Sequence, residues 1–97
     1  MLFLKTNEEI VRELGQRARR RRLERRISQQ DVAAKAGVHT NTVRALEAGK
    51  DIRLHSLVGI LRALGGAGDI DAVLARQIPV RLDVAEEPLP QRIRKRK

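Results

Sequence analysis

Cysteine, tryptophan and tyrosine are absent from the sequence, and Phe3 is its single aromatic residue. Without cysteine the chain can form neither a disulfide framework nor a thiolate zinc site. Proteins that read single-stranded nucleic acid usually stack the bases on aromatic side chains. The near absence of aromatic residues therefore argues against a single-strand or RNA reader.

Long apolar runs are absent as well. The apolar residues 2–4 are too few for the hydrophobic region of a signal peptide, and no run approaches the roughly 20 residues of a membrane span. The acidic residues form no cluster with histidine at the spacing of a metal site or an acid–base pair, and no phosphate-binding glycine loop is present. We therefore expect a soluble, cytoplasmic protein that is not an enzyme, has no cofactor or metal and does not enter a membrane.

Positive charge is in large excess. The 97 residues include 21 Lys and Arg against 12 Asp and Glu, which gives a formal net charge of +9 and a pI of about 11.4. This balance favours a polyanionic partner, with nucleic acid first and an anionic membrane or an acidic protein second. A chain of this length forms one small domain that buries only about 60 to 65 per cent of its unfolded surface, which favours dimerisation.

Residues 28–49 predict two short helices joined by a tight turn. Ser28 is a typical N-cap, because its hydroxyl can accept a hydrogen bond from a free backbone N–H of the first turn. Gly37 stands where the first of these helices ends and Gly49 closes the second, because glycine adopts the left-handed backbone conformation without steric cost. Small apolar residues at helical spacing would let the two helices cross closely. These residues are Val32, Ala33, Ala36, Val43 and Leu46.

This segment resembles the helix-turn-helix of phage repressor and Cro-type (XRE-like) DNA-binding domains. The resemblance lies in the pattern Gln29-x-x-Val32-Ala33-x-x-Ala36-Gly37-Val38-x-x-x-Thr42-Val43-x-x-Leu46-Glu47-x-Gly49. It implies an all-α, five-helix lambda-repressor-like domain. It also implies a partly buried ion pair between Arg22 and Glu47 that joins the first helix to the third.

The other helices are predicted from caps and apolar spacing. Thr6 and Glu9 have the spacing of a capping box, so the first helix begins at Asn7. Its buried side is expected to carry Ile10, Val11, Leu14, Ala18 and Leu23. A fourth helix is expected to face the core with Leu54, Leu57, Ile60, Leu61 and Leu64. Asp69 can cap a short fifth helix containing Ile70, Val73 and Leu74.

The C-terminal half of the first helix is strongly basic. Two interpretations stay open: a solvated face that complements the helix C-terminus, or a set of side chains of which some contact phosphate. The residues are Arg17, Arg19, Arg20, Arg21, Arg22, Arg25 and Arg26.

The N-terminal end of the third helix is predicted to read bases. The outward-pointing residues there are His39, Thr40, Asn41 and Arg44. Arg44 can bind guanine N7 and O6 in a bidentate manner, Asn41 can bind adenine N7 and N6, and the Thr40 methyl can touch thymine. For His39, a role as N-cap or phosphate ligand is an equal alternative.

Phosphate contacts are expected on both sides of this helix. The resemblance implies that Ser28 and Gln29, at the start of the second helix, bind phosphate with backbone and side-chain donors. Lys50 and Arg53, in the connector after the third helix, are expected to bind the neighbouring phosphate.

The pattern changes after residues 1–76, which we interpret as the DNA-binding domain. Ile78, Val80, Leu82 and Val84 alternate with polar residues or proline, which predicts an extended strand over residues 77–85. We expect this strand to pair with its copy in a dimer or with residues 2–4, and a tail that lies on the helices is the alternative. Residues 86–97 are predicted to be a disordered basic tail that adds non-specific DNA affinity or only solubility.

The sequence thus predicts a sequence-specific regulator of transcription, most simply a repressor, that binds an inverted repeat in double-stranded DNA as a homodimer. The layout of the whole chain also resembles HipB-like antitoxins, which implies autorepression and contact with a HipA-family kinase toxin. Restriction-modification controller proteins share the same domain type. Each of these classes implies a bacterial or phage protein of the cytoplasm, associated with the nucleoid.

Overall fold

The computed structural model describes residues 5–75, and within this range the chain forms five α-helices and no strand. The helices are α1 (Asn7–Glu24), α2 (Gln29–Ala36), α3 (Thr40–Glu47), α4 (Leu54–Ala63) and α5 (Ala67–Ala72). The predicted all-α fold with five helices is confirmed. The predicted strand with Ile78, Val80, Leu82 and Val84, the apolar residues 2–4 and the basic tail lie outside the described residues.

Local signals set the ends of the first two helices. The Thr6 hydroxyl accepts a hydrogen bond from the Glu9 N–H at 3.2 Å, and the Glu9 carboxylate accepts from Thr6 in return, which forms the predicted capping box. Hydrogen bonds from the Thr6 side chain and then from its backbone hold the pKa of Glu9 below its usual value. The Ser28 hydroxyl caps α2 by accepting from Asp31 N–H at 3.0 Å, and Gly37 ends that helix with a φ of 71°.

One cluster of small and branched apolar side chains forms the core. The helix-turn-helix pair contributes side chains from α2 and α3, α4 closes the cluster from the other side, and α1 adds a single alanine. The buried residues are Ala18, Val32, Ala33, Val43, Leu46, Ile60 and Leu64. Because these side chains are short, the four helices can approach one another closely.

Two glycines allow backbone to touch backbone between helices. A Cβ added to Gly15 of α1 would overlap the carbonyl oxygen of Leu46 in α3. A Cβ added to Gly59 of α4 would lie 2.8 Å from the carbonyl oxygen of Ala36 in α2. Glycine inside a helix costs about 1 kcal/mol relative to alanine, so both positions trade helix propensity for close packing.

Some residues that the spacing placed in the core are exposed. Leu54 is 74% exposed, because it lies at the very start of α4 and projects beyond the end of the core. Leu14 and Leu23 of α1 are also exposed, since that helix packs on the rest of the domain through the smaller residues Gly15 and Ala18. Periodicity identifies the face of a helix, but it does not show how far along the helix the core reaches.

The prediction for the fifth helix was wrong in two respects. Asp69 does not cap α5, because the helix begins at Ala67 after Gly66, and Asp69 instead forms an ion pair with Arg21 of α1. Val73 and Leu74 follow the end of α5 rather than lying inside it, and Leu74 is 99% exposed.

We predict that Gly15→Ala lowers the free energy of unfolding by about 1 to 3 kcal/mol, because α1 and α3 must separate to admit the methyl group. Urea unfolding followed by far-ultraviolet circular dichroism measures the change. Gly68→Ala is the matched control, since a Cβ at this helical glycine meets nothing within 4 Å. It should leave stability unchanged or raise it by up to about 1 kcal/mol. Equal stability of the Gly15 variant and the parent would contradict the close helix contact.

Candidate nucleic-acid interface

The two sides of α3 differ sharply in burial. Val43 and Leu46 are buried against the core. Asn41 and Arg44 are exposed on the side away from it, since residues one and two positions from the buried pair point elsewhere on the helix. His39 is the third predicted base-reading residue that is exposed. It is the N-cap residue of α3, but its side chain forms no capping hydrogen bond. Thr40 is half-buried.

A bidentate ion pair fixes the C-terminal end of α3. Arg22 of α1 donates from Nε to Glu47 Oε2 at 2.7 Å and from Nη2 to Glu47 Oε1 at 3.1 Å. The remaining Arg22 terminal nitrogen donates to the carbonyl of Ile27 at 3.0 Å. The side chains of Arg22 and Glu47 are 11% and 6% exposed, so solvent screens this pair very little.

Gln29, the first residue of α2, joins this ion pair to the surface. Its Nε2 donates to Glu47 Oε1 at 3.2 Å, and its Oε1 accepts from Arg44 Nε at 3.4 Å. Arg44 also donates from Nη1 to Asn41 Oδ1 at 3.1 Å. The structure therefore brings together Gln29, which was expected to bind phosphate, and two residues that were expected to read bases.

The connector after α3 continues this surface. Lys50 and Arg53 are both exposed, and Arg53 is the N-cap residue of α4. An open groove runs between α3 and the start of α4, so that Asn41 and Arg53 lie along one concave surface. The residues that line the groove are Asn41, Thr42, Ala45, Asp51, Ile52, Arg53 and Ser56.

Comparison with known families identifies the domain. A family model described as helix-turn-helix matches residues 19–69, from the second half of α1 to the first turn of α5. The chain belongs to the helix-turn-helix family of Cro and repressor-type regulators. It is therefore a DNA-binding regulator of transcription, as the sequence predicted. No curated protein matches the chain.

The basic run 17–26 of this helix-turn-helix protein, which extends past the end of α1, is divided between paired and unpaired arginines. Arg17 pairs with Glu13 at 3.2 Å, Arg21 with Asp69, and Arg22 with Glu47. Within residues 5–75, Arg19, Arg20, Arg25 and Arg26 form no ion pair and are exposed. Three of the seven arginines thus form ion pairs within the domain. Phosphate contact by the others stays a prediction.

Sequence reasoning missed two residues that shape the interface. Gly15 went unnoticed, although its position between Val11 and Ala18 on the buried side of a helix is the signal of a close contact. The internal contacts of Gln29 had no signal in the sequence, because Glu47 and Arg44 approach it only after α2 and α3 have crossed.

Among residues 5–75, no helix is long and apolar enough to cross a membrane, and no cluster of potential metal ligands occurs.

We predict that Glu47→Ala lowers the free energy of unfolding by about 3 to 5 kcal/mol, because Arg22 is left charged and desolvated without its partner. Glu13→Ala is the control, since it removes the same side chain from an Arg–Glu pair that is 54% and 29% exposed. That variant should lose only about 0 to 1 kcal/mol. Chemical unfolding of both variants measures the two losses in free energy of unfolding. Similar losses would show that burial does not increase the contribution of the Arg22–Glu47 pair to stability.

Proposed function

We propose that the protein is a homodimeric repressor that binds an inverted-repeat operator in double-stranded DNA. The observation that carries this proposal is the exposed face of α3, where Asn41 and Arg44 lie side by side in the matched helix-turn-helix segment. An α-helix fits the major groove, where each base pair presents a distinct pattern of donors and acceptors. A face with a guanidinium and an amide at neighbouring positions suits that pattern.

In this proposal, α3 lies in the major groove of each half-site, with half-sites about 34 to 36 Å apart. Arg44 binds guanine, while His39, Thr40 and Asn41 lie along the adjoining base edges and sugars. These contacts discriminate between sequences, because a bidentate arginine–guanine pair contributes about 1 to 3 kcal/mol over a wrong base.

Phosphates on either side of the groove are bound by two further sets of groups. The N-terminus of α2, capped by Ser28, presents backbone N–H groups and the positive end of the helix dipole to one phosphate. Lys50 and Arg53 bind the next phosphate from the connector. Such contacts add affinity and fix the position of the domain on the duplex without reading sequence.

Dimerisation is proposed to occur at the C-terminal end of the domain. Val73 and Leu74 are exposed large apolar residues near the end of the described range, shortly before the alternating segment with Ile78 and Val80. Apolar surface of this kind is stabilised when a second copy covers it. An antitoxin role with contact to a HipA-family kinase rests on the layout of the whole chain and stays a prediction.

We predict that Arg44→Ala lowers affinity for the operator by about 1 to 3 kcal/mol and relaxes preference at a single base position. The operator is first selected from a random duplex library, and fluorescence anisotropy with selected and scrambled duplexes then gives both affinities. Equal losses on the two duplexes would refute base reading by Arg44, and a parent protein without any preferred palindrome would refute the proposed function.

Arg53→Ala is expected to weaken binding to all sequences evenly, because phosphate contacts carry no base information. The plot of log K against log salt concentration should become shallower, with the magnitude of its slope reduced by about 0.9, which corresponds to one lost phosphate contact on B-form DNA. Arg17→Ala is the control for lost positive charge, since Glu13 neutralises that side chain, and it should change the slope little. If the Arg53 variant no longer discriminated between the selected and scrambled duplexes, the assignment of Arg53 as a phosphate ligand would be contradicted.

Deletion of residues 78–84 should convert the dimer into a monomer and reduce operator affinity, because two half-sites are then bound independently. Sedimentation velocity over a range of protein concentrations measures the change. A deletion variant that sediments as the parent dimer would show that the dimer contact lies elsewhere.

A further inference from the structure

A continuous set of hydrogen bonds runs from the buried ion pair to the exposed face of α3. It begins at Glu47, passes through Gln29 to Arg44 and ends at Asn41. We propose that Gln29 and Asn41 are positioning residues that set the specificity of Arg44 by fixing its guanidinium for one guanine. This inference rests on the proposed function and assigns roles within the same site.

The carboxylate of Glu47 determines how the Gln29 amide is oriented. A carboxylate can only accept hydrogen bonds, so the atom of Gln29 that faces it at 3.2 Å must be the Nε2 donor. The amide oxygen must then point to Arg44, where it accepts from Nε at 3.4 Å. Because Arg22 binds the same carboxylate in a buried position, the orientation of Gln29 is fixed from the interior of the protein.

These contacts decide which donors of Arg44 remain for DNA. A guanidinium has five N–H donors, of which Nε–H is directed at Gln29 and one hydrogen of Nη1 at Asn41. The side-on donor pair, Nε with Nη2, is therefore not free. The second hydrogen of Nη1 and those of Nη2 form an end-on pair, which matches N7 and O6 of guanine.

The same contacts narrow the role of Asn41. Bidentate binding of adenine needs the amide oxygen as an acceptor for the adenine N6 group. In this protein one of the two lone pairs of that oxygen accepts from Arg44 at 3.1 Å, which directs the amide at the guanidinium. In the proposed arrangement Asn41, directed in this way, acts through Arg44, and the two residues serve one guanine instead of reading a guanine and an adenine separately.

Holding Arg44 in one rotamer before DNA arrives removes part of the entropy that ordering this long side chain would otherwise cost. The loss of one such restraint corresponds to a change in affinity of about three- to tenfold. Because only the guanine contact benefits, the change should appear on the duplex with guanine at that position and not on duplexes with another base.

The test uses the full chain and four duplexes, namely the selected operator and its three variants at the guanine that Arg44→Ala identifies. We expect Gln29→Ala to weaken binding to the guanine duplex three- to tenfold and to leave the other three unchanged. In the Arg44→Ala background, Gln29→Ala should have no effect. Gln30→Ala is the matched control, because Gln30 is the exposed neighbour in the same turn and forms no side-chain hydrogen bond among the described residues.

Asn41→Ala gives a second, independent measurement. It should relax preference at the same guanine and at no adenine position. The concentration of active protein is determined by titration with excess operator, so that partial unfolding of a variant is not mistaken for weaker binding.

Two results would overturn the inference while the proposed function stands. One is an equal loss on all four duplexes for Gln29→Ala, or a loss that persists without Arg44, which would make Gln29 a phosphate ligand. The other is relaxation at a separate adenine for Asn41→Ala, which would make Asn41 an independent base reader. A parent protein that binds all duplexes equally would overturn both the inference and the proposed function.

Discussion

The carboxylate of Glu47 is the point at which three helices of this domain are joined. It closes α3, it receives two hydrogen bonds from Arg22 of α1, and it receives a third from Gln29 of α2. A charge that is 6% exposed must keep its partners, since the cost of desolvation is otherwise uncompensated. The direction in which α3 points is therefore fixed by an electrostatic requirement in addition to apolar packing.

Two backbone contacts set the depth at which the helices meet. The absence of side chains at Gly15 and Gly59 lets α1 lie on α3 and α4 lie on α2, carbonyl against Cα. Apolar side chains alone tolerate small sliding movements between helices, whereas direct backbone contact does not. For α3, the ion pair thus sets the direction of the helix and Gly15 sets its distance from α1, while Gly59 sets the distance between α2 and α4.

Features encoded by neighbouring residues could be predicted from the sequence, and features that need the folded chain could not. The limits of α2 follow from Ser28 and Gly37, because caps are local. The exposure of Leu54 could not be predicted, because the spacing of apolar residues continues past the edge of the core. Asp69 has the properties of a cap, and only the fold shows that Arg21 lies close enough to bind it. The bridging position of Gln29 depends in the same way on the crossing of α2 and α3.

The separation of buried from exposed positions along α3 has an evolutionary consequence. Val43 and Leu46 maintain the domain, while His39 and Arg44 contribute almost nothing to its interior. Surface substitutions of this kind usually change stability by no more than about 0.5 kcal/mol. A duplicated gene could thus acquire a new target site through a few codon changes and still encode a folded protein, so that paralogues in one genome can diverge to control separate promoters.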